Sequence, residues 1–94
     1  MDKTIEWTLT AQMRYREVIT YLIDNWSIAA ANRFIDMVDR KLNLLTQFPE
    51  IGQRTKKNSK VRQLQLGKYN TLFCEPQRSK ILVLNIQDNK QRGI

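Results

Sequence analysis

Two stretches with helical apolar spacing stand almost back to back in the first half of the chain. Apolar residues recur every three or four positions in both, at Ala11, Tyr15, Val18 and Leu22, then at Ala31, Phe34, Val38, Leu42 and Leu45. A short break at Asn25 and Trp26 separates them, and Ser27 is a good N-cap for the second helix. Helices joined by so short a connection must pack as an antiparallel hairpin.

The residues around this hairpin predict where the helices begin and end. Thr4 to Leu9 reads as a first strand, and Thr10 is predicted to cap a helix that runs to about Asp24. The second helix is predicted to end at Pro49, because proline cannot continue the backbone hydrogen bonding of a helix.

The second half of the chain changes to strand spacing. After a polar, basic loop from Gln53 to Lys60, Arg62, Leu64 and Leu66 share one strand face, opposite Gln63 and Gln65. Further segments follow: a Gly67-Lys68 turn, a strand from Tyr69 to Glu75, a turn from Pro76 to Ser79 and a central strand from Lys80 to Asp88. The sequence predicts one α+β domain, residues 1–94, ordered β-α-α-β-β-β, with a helical hairpin on a mostly antiparallel four-stranded sheet.

Composition excludes several classes of protein. The chain has one cysteine, Cys74, and no histidine, so it forms no internal disulfide and offers no imidazole to activate the thiol. We interpret Cys74 as a strand residue, and we expect neither a cofactor nor a metal. No window has the roughly 18 to 20 apolar residues of a membrane span, and the start lacks a signal-peptide apolar region. A cytoplasmic protein is expected.

Positive charge is concentrated in the second half of the chain. Residues 1–53 hold six Lys or Arg against seven acids, whereas residues 54–94 hold ten against two, a net charge of +8. Such a field favours an acidic partner, either nucleic acid, the ribosome or an acidic peptide. The alternative is a soluble domain that carries surplus lysine on solvated loops.

Five segments together resemble the RelE/ParE superfamily of bacterial toxins, many of which are known as plasmid stabilisation proteins. They are Ala11 at the start of helix one, "AAANRF", "LLTQFPEIG", "VRQLQLGKYNTLF" and "ILVLNIQDNKQRG". The resemblance implies the toxin of a type II toxin–antitoxin module, held inactive by a cognate antitoxin. We expect that antitoxin to be acidic and partly disordered, because it must neutralise a basic surface.

The superfamily divides into two mechanisms. In the superfamily that this chain resembles, RelE-like members cleave mRNA in the ribosomal A site. They use lysines on the strand after the helices, an arginine beside the tyrosine that starts the next strand, and another arginine past the last strand. Gln63, Gln65 and Asn70 stand at the first three places, and amides supply neither a cation nor a proton. The remaining catalytic candidates are Arg62, Lys90 and Arg92. For Arg62 the alternative is a sheet-edge arginine with its stem on apolar neighbours and its head in solvent or on a helix carboxylate.

The resemblance is nearer the ParE branch, whose members lack the catalytic set and act by binding; the studied ones poison DNA gyrase. We therefore expect a gyrase inhibitor and not an enzyme. Two alternatives stay open: a ribosome-dependent mRNA endonuclease, and a degenerate toxin that only binds its antitoxin. The candidate residues for binding antitoxin or target are Arg54, Lys56, Lys57, Arg62, Lys68 and Arg78.

Overall fold

The computed structural model describes residues 3–89, and the candidates Lys90 and Arg92 lie outside them. Two helices carry the N-terminal half, α1 (Leu9–Asn25) and α2 (Ile28–Gln47), and a 3₁₀ turn at Pro49–Ile51 follows. The strands are β1 (Thr4–Trp7), β2 (Gln53–Arg54), β3 (Arg62–Leu66), β4 (Asn70–Pro76) and β5 (Lys80–Asp88). This is the predicted α+β order with one strand more.

The strands form one sheet in the order β1-β5-β4-β3-β2. β1 runs parallel to β5, and each other pair of neighbours is antiparallel. The prediction of four strands was wrong, because Gln53 and Arg54 pair with Gln63 and Arg62 of β3. Two polar residues have no apolar alternation, so the sequence alone indicated a loop at this place.

The start of α1 also differs from the prediction. Thr8, not Thr10, is the N-cap, and its hydroxyl accepts a 3.1 Å hydrogen bond from the amide of Ala11. The same hydroxyl lies 3.1 Å from the carbonyl oxygens of both Val83 and Leu84 in β5. The cap therefore ties α1 to the sheet, which the local sequence could not indicate. Ser27 caps α2 as predicted, accepting from the amide of Ala30 at 3.0 Å.

The turns at the two ends of β4 are each shifted by one residue from the prediction. Leu66 pairs with Asn70, so the first turn has three residues, and Tyr69 belongs to it and not to the strand. Gly67 adopts a φ of +66° there, a left-handed conformation that glycine tolerates best. Pro76 ends β4, where it pairs with Ile81, and does not open the following turn.

The core lies between the helices and one face of the sheet. From the sheet it takes Leu64, Leu66, Leu72, Cys74, Ile81, Val83 and Ile86, all buried. From α2 it takes Phe34, Val38, Leu42 and Leu45, and from α1 only Ala11 is fully buried. β5 is interior to the sheet, as its apolar middle predicted.

Candidate functional site

Arg62 fixes the segment that leaves α2. Its Nη1 donates to the backbone carbonyl oxygens of Glu50 at 2.9 Å and Gly52 at 2.7 Å. Gly52 is buried, and a Cβ placed on it would lie 2.8 Å from the Cβ of Arg62. The head group of Arg62 thus binds backbone carbonyls and not a helix carboxylate, and the predicted alternative was wrong in this detail. Whether Arg62 also contacts a partner stays a prediction.

Most of the predicted binding residues lie together at one end of the sheet. Arg62 of β3 pairs with Cys74, Pro76 pairs with Ile81, and Thr4 pairs with Lys80, so these strand ends are adjacent. The 55–60 loop and the 77–79 turn extend from the same end. We call this surface the basic end; it comprises Lys3, Arg54, Lys56, Lys57, Lys60, Arg62, Arg78 and Lys80.

Lys68 does not belong to the basic end. It stands in the turn between β3 and β4, at the opposite end of β4 from Pro76. Strand residues rise about 3.3 Å each, so the length of β4 separates the two ends by roughly 20 Å. The sequence could not place Lys68, because its charge is read from composition and its position depends on strand pairing.

Within the basic end, three of the cations already have partners. Lys3 donates to the carbonyl oxygens of Gln77 and Arg78, Lys80 forms a 2.6 Å ion pair with Glu6, and Arg62 holds the α2 exit. The others are exposed and make no side-chain hydrogen bond or ion pair within residues 3–89; they are Arg54, Lys56, Lys57, Lys60 and Arg78. Five uncommitted cations therefore remain available to an anionic partner.

A shallow cavity of about 240 Å³ opens at the basic end. Its walls carry both signs of charge, from Lys60, Arg62, Glu50 and Glu75, with two prolines beside them. The Glu75 carboxylate accepts a 2.9 Å hydrogen bond from the side-chain amide of Gln77. Because the carboxylates offset the cations here, the net positive field comes from the surrounding loops.

Gln63 and Gln65, which by resemblance correspond to the strand lysines of the nuclease branch, lie on the sheet face away from the helices. Gln63 and Gln65 alternate with the buried Leu64 and Leu66. The side-chain amide of Gln65 donates to the backbone carbonyl of Gly67 at 2.9 Å. An amide that is hydrogen-bonded to backbone cannot act as a general base or stabilise a developing phosphate charge.

Cys74 is a strand residue, as predicted, and it also belongs to the core. Its side chain is fully buried in β4. Burial raises the pKa of the thiol to about 11, an effect that the nearby Arg62 charge partly opposes. A thiol that is neutral at physiological pH and shielded from solvent is a poor nucleophile.

A second exposed surface, which sequence reasoning missed, lies on the helical hairpin. Several large apolar side chains face solvent there: Leu9, Met13, Tyr21, Ile23, Trp26 and Ile28. Trp26 and Ile28, beside the connection between the helices, are each 68% exposed. In the sequence, these residues stand outside the three-to-four-residue spacing of the apolar positions that face the core, and that was the available signal of their exposure. Large exposed apolar side chains such as Trp26 and Ile28 are candidates for protein–protein contact.

Neither a metal site nor a membrane span is found in the part of the chain that the structure describes. Residues 3–89 contain no group of three His, Cys, Asp or Glu side chains that could hold a metal ion. None of their helices is both long and apolar enough to cross a membrane.

The chain matches one family and is similar to several solved structures, two of which are described below. The model of the family described as ParE toxin of type II toxin–antitoxin system, parDE, matches residues 5–93. The chain is similar to a structure of the chromosomal ParDE system from P. aeruginosa, with 16% identity and a TM-score of 0.75 over 92% of this chain and 95% of that one. It is also similar to a conserved hypothetical protein from Helicobacter pylori, with 16% identity and a TM-score of 0.60 over 96% and 97%. No curated protein matches the sequence.

At 16% identity the two structures establish a common fold alone. The family match is stronger evidence, because it spans nearly every residue from β1 through β5. Two helices on one face of a mostly antiparallel sheet agree with it. This chain belongs to the ParE toxin family, within the RelE/ParE superfamily.

Proposed function

We propose that this chain is a toxin that acts in the cytoplasm by binding DNA gyrase, and that a cognate antitoxin neutralises it. The observation that carries the proposal is the pair of amides, Gln63 and Gln65, where the nuclease branch has lysines. Removing a general base typically costs about 10² to 10⁴ in rate, and removing a charge-stabilising group costs a similar further factor. We therefore expect a toxin that lacks both groups to act by binding.

The test is to compare the two modes of toxicity directly. The purified chain is added to gyrase with supercoiled plasmid, and in parallel to ribosomes programmed with mRNA. We expect cleaved plasmid to accumulate with gyrase, and the mRNA to remain intact. A matched reaction without gyrase controls for nuclease contamination.

Lys90 and Arg92 provide the decisive control for the nuclease alternative. If mRNA is cut in the ribosomal A site and Lys90→Ala or Arg92→Ala abolishes the cut, the chain is a RelE-like endonuclease with a displaced cation. A-site cutting that persists in both variants also contradicts the proposal. Antitoxin binding without effect on gyrase or mRNA would identify a degenerate toxin.

For the antitoxin, the basic end supports recognition of an acidic and partly disordered segment. Its five uncommitted cations are exposed, so their attraction to an acidic chain is screened by salt over about 8 Å at physiological ionic strength. The exposed apolar residues of the helical hairpin offer the complementary surface for an amphipathic helix. To contact Lys68 as well, at the other end of β4, the antitoxin segment would have to be long enough to span the length of that strand.

A matched pair of double variants tests this electrostatic contribution. Lys56→Gln with Lys57→Gln removes two charges from the basic end, and Arg33→Gln with Arg40→Gln removes two exposed charges from α2. Exposed ion pairs contribute up to about 1 kcal/mol each, so we expect the first variant to bind antitoxin about tenfold more weakly at low salt. Equal affinities for the two variants, or an affinity that is independent of salt, would contradict the role of the basic end.

A further inference from the structure

A second cavity, of about 250 Å³, opens between β1 and the two helices, beside the edge of the sheet. Trp7 of β1 and Tyr15 of α1 form one wall, and the buried Val38 and Leu42 of α2 belong to its apolar lining. Asp36 and Asp39, one turn apart on α2, also line the cavity and are exposed to solvent. A basic protein thus carries a cavity whose charged groups are both acidic.

The two aromatic rings are held together as a wall. The ring centroids of Trp7 and Tyr15 are 4.9 Å apart, with the ring planes tilted by 48°. Tyr15 also packs against Phe34 of the core, with ring centroids 5.9 Å apart. This packing restrains the tyrosine ring, so the wall exists before any ligand arrives.

The negative charge of α2 reaches this wall. Burial, together with the Asp39 carboxylate, raises the pKa of the Tyr15 hydroxyl, which means that Asp39 is close enough to act on it. Neither Asp36 nor Asp39 forms an ion pair or a side-chain hydrogen bond within residues 3–89. Both carboxylates therefore line the cavity without an ion-pair partner among the described residues, and Asp39 acts on the aromatic wall.

An aromatic wall next to carboxylates favours the binding of a flat cation about the size of one side chain. Aromatic faces attract cations through their quadrupole, and a guanidinium both stacks on a ring and pairs with carboxylates. Small-molecule sites commonly measure about 300 to 1,000 Å³, so a cavity of 250 Å³ is better matched to a single side chain.

At the edge of the sheet next to the cavity, the Trp7 carbonyl oxygen accepts a 3.2 Å hydrogen bond from the Gln12 side chain, whereas the backbone groups of Ile5 are not paired with a strand of residues 3–89. The backbone amides of Thr4 and Thr8 donate to the carbonyl oxygens of Ser79, just before β5, and of Val83 in β5, both at 3.1 Å. Because alternate residues of a strand turn their backbone groups to opposite sides, Ile5 directs its N–H and C=O to the outer edge. Within residues 3–89 no strand pairs with this edge, since β1 is the last strand of the sheet.

An extended peptide added at this edge would present every second side chain on the same sheet face as Ile5 and Trp7. That face is the one covered by the helices, where the cavity opens. We propose that the cavity binds the guanidinium of an arginine, carried by an extended segment of a partner protein that pairs with the outer edge of β1. This site goes beyond the proposed function, because neither gyrase binding nor neutralisation by an acidic antitoxin requires it.

The test uses a short peptide, acetyl-Thr-Val-Arg-Val-Thr-amide, and the same peptide with citrulline in place of arginine. Citrulline keeps the planar shape and loses the charge. Binding to the ¹⁵N-labelled chain is followed by NMR at the Trp7 indole N–H and the Ile5 amide, with the exposed Trp26 indole as an internal reference. We expect the citrulline peptide to bind at least about tenfold more weakly, because a charge-assisted contact is lost.

Charge variants locate the interaction. Asp36→Asn and Asp39→Asn are each expected to weaken the arginine peptide about fivefold, whereas Asp24→Asn, which removes the same charge near the end of α1, should leave it unchanged. All three aspartates are exposed, so the fold is retained, and far-UV circular dichroism confirms this. Equal binding of the two peptides, equal effects of Asp24→Asn and Asp39→Asn, shifts confined to residues 54–60, or self-association in place of peptide binding would each overturn the proposal.

Discussion

The two helices have similar apolar spacing in the sequence and different roles in the structure. α2 buries Ala31, Phe34, Val38, Leu42 and Leu45, whereas Ala11 is the one fully buried residue of α1. Tyr15, Val18 and Leu22 of α1 pack against the core while staying partly exposed. Large apolar residues stand on the solvent side of α1 as well. α2 is thus the main support of the fold, and α1 combines support with surface that a partner could cover.

The largest expected effect distinguishes two adjacent leucines of α2. Leu45 is fully buried, and Leu44 is 44% exposed. Leu45→Ala should lower the free energy of unfolding by about 2 to 5 kcal/mol, because it removes buried methyl groups and leaves a cavity. Leu44→Ala, the matched control, should lower the free energy of unfolding by less than about 1 kcal/mol. Urea denaturation measures this free energy for both variants. Similar losses would mean that α2 is not packed in this register.

The exit of α2 provides the next comparison. Arg62→Met keeps much of the apolar stem and removes the hydrogen bonds to the carbonyls of Glu50 and Gly52. Hydrogen bonds from a charged donor contribute about 1.5 to 3 kcal/mol, so the variant should lose an amount in this range. Arg54→Met, at an exposed neighbour with no side-chain partner in residues 3–89, is the control and should change stability little. An unchanged Arg62→Met variant would show that the backbone bonds are not needed.

The N-caps of the two helices should differ in their contribution. Ser27→Ala removes one capping hydrogen bond of α2 and should cost about 1 kcal/mol. Thr8→Ala removes the cap of α1 and also the contact of the Thr8 hydroxyl with the carbonyls of β5. The loss of unfolding free energy should therefore be larger, about 2 kcal/mol. Thermal unfolding of both variants checks the order. The reverse order would indicate that α1 depends less on the sheet than its cap suggests.

The smallest expected effect is on the outer face of α1. Met13 is 61% exposed, so Met13→Gln should change the free energy of unfolding by less than about 0.5 kcal/mol. The same variant should weaken antitoxin binding if the helical hairpin is part of that interface. A destabilisation above about 1 kcal/mol would place Met13 in the core and remove the contrast between the helices.

The sequence predicted the parts of the fold that depend on local pattern. β5 was predicted at its observed bounds, Lys80–Asp88, because a long apolar run between turn signals is a strong local signature. β2 and the Thr8 cap were missed, because each is defined by a pairing with a distant residue.

The candidate site divides in the same way. Charge in the second half indicated an anionic partner, but composition could not show that Lys68 stands apart from Arg54, Lys56 and Arg78. The role of Arg62 at the α2 exit was hidden because its acceptors are backbone carbonyls, which any residue supplies.

The parallel pairing of β1 with β5 has a consequence for how the chain folds during synthesis. Thr4, near the start of the chain, finds its partner at Lys80, and the Thr8 cap finds its acceptors at Val83 and Leu84. A contact between residues so distant in sequence forms late, because the loop between them must first be made and ordered. The nascent helices therefore emerge from the ribosome before the strand that completes their sheet. A partner that recognises the finished fold meets it only when translation of β5 is complete.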